Sequence, residues 1–243
     1  MEAYLFTFFG KFIGSIVGGA TGLGGMMISL PILSLGMPAS TAVLVSCLSG
    51  AVSCMQLAWL YRRYVVWDDM KLLWLACIPG CIFGAFTLKV VSVALLQIMI
   101  SIMIFCFILL QLFSRHAQWK LGDSLGWTLA AGFTGGFAHA SVSVVGVPLG
   151  VFVLLKRWDR DRARATLCMF FVFSGWMTLV SQWMAGLYEF DLLKLAAVGL
   201  VGSLVGQPVG FWIGRHLNQK VFVRFVLLFL SCAAIVLFYK GIR

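Results

Sequence analysis

The sequence predicts an all-α integral membrane protein built from two inverted-topology repeats, each a broken helix or re-entrant hairpin followed by three transmembrane helices. Three observations lead there. Of 243 residues, 62% are hydrophobic and 11% charged, with a mean hydropathy of +1.03. A soluble domain holds roughly 45–50% apolar and about 25% charged residues. No soluble core hides this much apolar surface, so the bilayer must act as solvent. Extracellular enzymes, disulfide scaffolds and free nucleic-acid binders are thereby excluded. The second observation is a set of eight apolar runs, two of them overlong and interrupted. The third is that these two runs, and the runs after each, align with one another.

Taken in order, the first run spans 3–35 and is interrupted at Thr21-Gly22-Leu23-Gly24-Gly25. Runs 39–61, 69–90 and 92–113 follow, each near the 20–25 residues that cross a bilayer once. The fifth run, 124–155, is again overlong and is interrupted at Ala138-His139-Ala140-Ser141-Val142-Ser143. Runs 164–187, 190–214 and 219–240 complete the chain. Val17-Gly18-Gly19 matches Thr134-Gly135-Gly136, and Pro31 matches Pro148, at an offset of 117. Asp69, Gly80 and Gly84 match Asp191, Gly202 and Gly206 at 122. Ser49, Ser53 and Gln56 match Ser174, Thr178 and Ser181 at 125. Offsets that drift by a few residues are what loop insertions produce, so the expected units are a first repeat, 1–120, and a second, 121–243.

Charge decides the expected topology. The formal net charge is +10, from 18 Lys and Arg against 8 Asp and Glu. The cations cluster in short hydrophilic breaks and read as an orientation signal, not as nucleic-acid contacts. If all eight runs crossed the membrane, the 18 cations would divide nine and nine. If 3–35 and 124–155 are hairpins that enter and leave on one face, Arg62, Arg63, Lys71, Arg115, Lys120, Lys156, Arg157, Arg160, Arg162, Arg164, Arg215, Lys220 and Arg224 share one side. Lys11, Lys89, Lys194, Lys240 and Arg243 stay on the other, a thirteen-to-five positive-inside bias. Each half then crosses three times, which inverts one half relative to the other and leaves both termini outside the cytoplasm. Broken helices in inverted halves are the plan of secondary transporters.

Irregular backbone at membrane depth is tolerated only where it is buried in protein or lines a wet cavity. Two breaks at equivalent places therefore point to one site. Gly24, Gly25 and Met26 are expected to begin the second half-helix of the first hairpin, after Thr21 and Gly22. The first amide N–H groups of a helix lack intrahelical partners and, with the dipole, favour an anion. Ser141, Val142 and Ser143 are expected to begin the matching half-helix and to add hydroxyl donors. Small residues at both places also suit close helix contact. His139, opposite Gly22, is the histidine remote from charged loops. It is a candidate for substrate contact and for proton coupling, with a hydrogen-bonded packing histidine as the plain alternative. Ser46, Ser49, Ser53 and Gln56 share one helix face, and Ser174, Thr178 and Ser181 the equivalent face. Such stripes line a hydrophilic route or bond neighbouring helices. Gly202, Gly206, Gly210 and Gly214, like Gly80 and Gly84, read as close helix contacts; Gln207 in that series is a further candidate. The candidate substrate-binding set is therefore Thr21, Gly22, Gly24, Gly25, Met26, Ser49, Gln56, His139, Ser141, Ser143, Ser174 and Gln207.

The seven cysteines all sit in apolar runs. Cys77 and Cys81 have the spacing of a metal or redox pair, but no His or acidic residue is near in sequence, so small packing residues are the better reading. Met1-Glu2-Ala3-Tyr4 lacks the basic start of a signal peptide, and the first run is expected to be retained. No GxSxG elbow, HExxH pair or P-loop occurs, so neither catalysis nor a metal or cofactor is expected.

The stretch Gly14-Ser-Ile-Val-Gly-Gly-Ala-Thr-Gly-Leu-Gly-Gly-Met-Met-Ile-Ser-Leu-Pro31, then Ala42 and Tyr61-Arg62-Arg63, resembles the sulfite exporter TauE/SafE family. So does Asp68-Asp69 leading to Pro79-Gly80 and Gly84. The second break departs from the family pattern: Ala138-His139-Ala140-Ser141 stands where a glycine-rich stretch often recurs. The resemblance implies a secondary transporter, an exporter by the family's name, of sulfite, sulfoacetate or other organosulfonates across the cytoplasmic (inner) cell membrane. The expected partners are a small anionic substrate and the bilayer, with room for a homodimer and no nucleic acid. A passive channel or proton-coupled carrier for another small anion, and a non-transporting scaffold, are the alternatives.

Overall fold

The structure is a computed structural model that describes residues 2–21, 25–113, 124–144, 146–156, 158, 160–216 and 219–242. It is 92% helix, without strands among the described residues. The helices are α1 (Glu2–Thr21), α2 (Gly25–Gly36), α3 (Ala39–Tyr61), α4 (Trp67–Val90), α5 (Val93–Phe113), α6 (Leu125–Val142), α7 (Gly146–Lys156), α8 (Arg160–Met184), α9 (Phe190–His216) and α10 (Gln219–Ile242). A single 3-10 turn, Arg62–Tyr64, joins α3 to α4. Among the described residues, five stretches are long and apolar enough to cross a membrane: Glu2–Ala20, Trp67–Val90, Val93–Leu110, Ala165–Met184 and Phe190–Ile213.

Both overlong runs fold back on themselves. In the first, α2 returns along α1, so that Gly36 meets Phe6, Leu33 meets Gly10, and Gly25 meets Gly14 and Gly18. In the second, α7 returns along α6, with Leu149 beside Gly135. α1 runs parallel to α9, Phe8 and Phe12 facing Gly202 and Gly206. α6 runs parallel to α4, Gly132 and Gly136 facing Leu73 and Cys77.

The ends of α8 orient these pairs. Its start lies with the start of α4, where the Val66 N–H donates to Thr166 Oγ1 at 3.3 Å. Its end lies with the end of α4, where Lys89 Nζ donates to the Ala185 carbonyl at 2.8 Å. α9 begins where α8 ends, so α4 and α9 are antiparallel and the two hairpins enter from opposite ends of the bundle. An ion pair of 2.9 Å between Lys156 and Asp69 fixes the end of α7 beside the start of α4. Lys240 Nζ, 3.5 Å from the Ser34 carbonyl, fixes the end of α10 beside the end of α2.

Glycine makes these contacts possible. A Cβ on Gly84 would stand 2.5 Å from the Phe137 carbonyl oxygen, and one on Gly202 would stand 2.7 Å from that of Phe8. Side chains cannot be accommodated at that separation, so the backbones approach as they do where small residues line membrane helices. α3 occupies the middle, with Val43, Val45 and Cys47 fully buried.

The hairpin arms are unequal: α1 has 20 residues and α2 has 12, about 30 Å and 18 Å at 1.5 Å per residue. One expectation needs correction. The second break lies later than the sequence suggests. α6 continues through His139 and Ser141 to Val142, and the returning helix begins at Gly146.

Candidate functional site

The last turn of α6 lies against the meeting of α3 and α8. His139 is there, 1% exposed. Its Nδ1 is 2.7 Å from Ser174 Oγ of α8, and its Nε2 has no partner. Cys47 Sγ of α3 lies 3.8 Å from the His139 carbonyl oxygen. A Cβ on Gly175 would stand 3.3 Å from Ala51 and 3.8 Å from the imidazole, so glycine keeps α3, α6 and α8 together at this point. Ser174 Oγ also lies 3.4 Å from the Phe171 carbonyl oxygen. If the serine proton goes to Phe171, the imidazole donates through Nδ1 and Nε2 is an acceptor; if it goes to Nδ1, Nε2 carries the donor. An anion at Nε2 selects the second arrangement, or the imidazolium.

Ser143 closes α6 with φ 56°, the one non-glycine residue with positive φ among the described residues. A serine held there costs about 1–2 kcal/mol, and such strain concentrates at functional positions. Its N–H donates to the His139 carbonyl at 3.0 Å. Its hydroxyl lies 3.6 Å from Met26 Sδ, in the first turn of α2, and 3.6 Å from Cys47 Sγ. Met26 Cε in turn covers Gly50 of α3. The start of α2, the end of α6 and the middle of α3 therefore converge.

Of the candidate residues, this convergence includes Met26, His139, Ser143 and Ser174. Gly22 and Gly24 lie outside the described residues, as do the side chains of Thr21 and Gln56. Gly25 stands at the start of α2, but a Cβ there would be 2.7 Å from the Gly14 carbonyl oxygen. Its lack of a side chain serves α1–α2 contact, so a larger residue would disturb the hairpin itself. Ser141 and Ser143 end a helix and do not begin one. The Ser141 hydroxyl donates to the Phe137 carbonyl at 2.6 Å, and Ser49 likewise to Val45 at 2.7 Å. These hydroxyls satisfy their own helices. Gln207 is 8% exposed beside the end of α1, its Oε1 without a partner.

Three polar residues here were not among the candidates. Gln182 of α8 is fully buried; its Nε2 donates to the Ala140 carbonyl at 2.9 Å and lies 3.7 Å from Cys47 Sγ. Tyr188, between α8 and α9, donates to Gln182 Oε1 at 2.6 Å. Burial raises the Tyr188 phenol above its ordinary value of about 10, so it remains a donor. Lys11, counted above with the charges of one face, is instead 2% exposed at the middle of α1, where Nζ donates to the Ser46 carbonyl at 3.1 Å. Without Lys11 the expected orientation bias becomes thirteen to four. Cys77 and Cys81 lie 3.6 Å apart beside Thr178, and among the described residues no group of three or more His, Cys, Asp or Glu is placed to hold a metal ion.

Apolar spans enclosing a buried polar centre define a multi-pass helical membrane protein. The sequence model of the sulfite exporter TauE/SafE family matches residues 6–237, nearly the whole chain, and the chain belongs to that family. Membership implies membrane transport of sulfite or a related sulfur anion. Neither a curated protein nor a solved structure matches the chain.

Proposed function

We propose that the protein is a secondary transporter that exports small sulfur-containing anions, namely sulfite, sulfoacetate or other organosulfonates, across the cytoplasmic membrane. On this reading the cargo binds where the two hairpins meet, between Met26 of α2 and His139 and Ser143 of α6. The observation that carries it is His139: a buried imidazole, fixed through Nδ1 by Ser174, with Nε2 unpartnered. A buried polar atom without a partner is costly, and an oxyanion would supply what Nε2 lacks. Intramembrane ionisable residues that face a bundle interior mark ion and proton pathways.

The entry of the hairpins from opposite ends supports an inverted two-repeat plan. So does the contact of Met26 with Ser143, which are equivalent at the offset of 117. With the cation-rich end in the cytoplasm, both termini lie outside it. The test is sulfite flux into proteoliposomes containing the purified chain. Saturable flux, competed by sulfoacetate and lost in His139→Ala, is the expected result. A chain that binds and moves no sulfur anion refutes the reading.

A further inference from the structure

We propose that Lys11 is the charge anchor of the transported anion; this rests on the anion-transport reading above and adds a residue to its site. Lys11 lies nine residues, about 14 Å, from the start of α1. It is 2% exposed and gives one hydrogen bond, to the Ser46 carbonyl. An ammonium has three donors, and no carboxylate among the described residues pairs with this one. Its neighbour Ser46 is fully buried, and the Ser46 hydroxyl also lacks a partner.

The surroundings hold the lysine at this depth. A Cβ on Gly199 of α9 would meet Lys11 Cγ and Thr7 Cγ2 at 3.2 Å and Ser49 Oγ at 3.4 Å, so the missing side chain gives the lysine stem its room. A buried charge without a partner is strongly destabilising, and ionisable residues at membrane depth are kept where an ion or substrate uses them. An oxyanion meets every deficit at once: it neutralises the ammonium, accepts its spare N–H groups and accepts from the Ser46 hydroxyl.

α3 connects this group to the site already described. Ser46 accepts from Lys11, and the next residue, Cys47, touches the His139 carbonyl and Ser143. At the offset of 117 the counterpart of Lys11 is Thr128, also buried, so the second half carries no such charge.

The test uses the purified full-length chain in detergent and thermal shifts with sulfite, sulfoacetate, sulfate and acetate at constant ionic strength. Ligands that bind the native state stabilise it by linkage. Sulfite should raise the melting temperature of the wild type and of Lys11→Arg. In Lys11→Met the unliganded protein should melt no lower than the wild type, and apparent sulfite affinity should fall at least about tenfold, the worth of a charged hydrogen bond. If another anion separates wild type from Lys11→Met, Lys11 stands and the sulfite cargo falls. If no anion separates them, or if Lys11→Met loses flux while binding sulfite normally, the proposal is overturned, whatever the wild type transports. Should Lys11→Met not fold, Lys11→Gln takes its place. Protection of Lys11 by sulfite from a membrane-permeant amine reagent, mapped by mass spectrometry on the native chain, reads the same contact, and unchanged labelling overturns it.

Discussion

Gln182 ties the end of α6 to α8 and to the α8–α9 connection, and replacing it gives a prediction whose size follows from the geometry. Gln182→Leu keeps nearly the same volume, so little cavity is created. It removes the donor to the Ala140 carbonyl and the acceptor for the Tyr188 hydroxyl. Each group left buried and unpaired costs about 1–3 kcal/mol, giving about 2–6 kcal/mol in all. For a chain of this length one kcal/mol moves the melting temperature by about 2–4 °C, so a fall of roughly 5–20 °C is expected from circular dichroism at 222 nm. Tyr188→Phe alone leaves Gln182 Oε1 unpaired and costs about 1–3 kcal/mol. The double variant orphans only the Ala140 carbonyl, because the hydroxyl that Gln182→Leu stranded has gone. It should therefore melt above Gln182→Leu, and the double-mutant cycle should show strong coupling. Additive losses, with the double variant the least stable of the three, would refute the latch. Because Ala140 follows His139 directly, Gln182→Leu should also weaken sulfite binding, a readout that surface destabilisation would not give.

His139→Gln should keep the fold and flatten the pH dependence of methanesulfonate binding, since an amide hydrogen-bonds but does not titrate. In the wild type, affinity should rise as pH falls, since protonation adds a donor and a positive charge; an unchanged profile in the variant places the titration elsewhere. Gly84→Val should prevent stable assembly of α4 on α6, since its Cβ would stand 2.5 Å from the Phe137 carbonyl oxygen. Gly186→Ala, at φ +71° with open space around it, should cost only about 1–2 kcal/mol, and equal melting of these two variants would contradict the contact. Tyr188 has a folded-state pKa above its unfolded value. Its contribution is therefore complete below about pH 10 and is lost as pH rises through the higher folded value. Relative to Tyr188→Phe, the wild type should lose stability only on the alkaline side of pH 10, and parallel curves would show a solvated phenol.

The helical membrane fold was legible because lipid imposes it: every backbone polar group must be paired inside its own segment, and hydropathy reports that requirement directly. The first break was legible for a second reason, since Thr21 to Gly25 holds three glycines and α1 does stop there. The second was placed several residues early. Ala138 to Ser143 contains two serines and a histidine, residues of modest helix propensity, yet α6 runs through them. Tertiary contacts outweigh propensity here: the Ser141 hydroxyl bonds back to Phe137, and Gln182 satisfies the Ala140 carbonyl. The break then falls at Ser143, where the backbone turns left-handed.

Gln182 and Lys11 both leave traces in the sequence. Gln182 stands four residues after Thr178 and eight after Ser174, so it continues the polar face that Ser181 was assigned to. By charge alone Lys11 resembles one more cation outside the hydrocarbon. Its neighbours at helical spacing include Thr7 and Gly14, a polar and small-residue pairing that no lipid contact requires. That pattern marks a face turned to protein, and a lysine on such a face at mid-helix has no route to water along its own stem. Under the proposed two-repeat plan the consequence is chemical. The halves place a basic side chain at unlike positions: at the offset of 117 Lys11 aligns with Thr128, and His139 aligns with Gly22. On the proposed reading Lys11 would hold the anion and His139 would exchange a proton as it moves, so the divergence between the repeats, more than their likeness, is where coupling would be built.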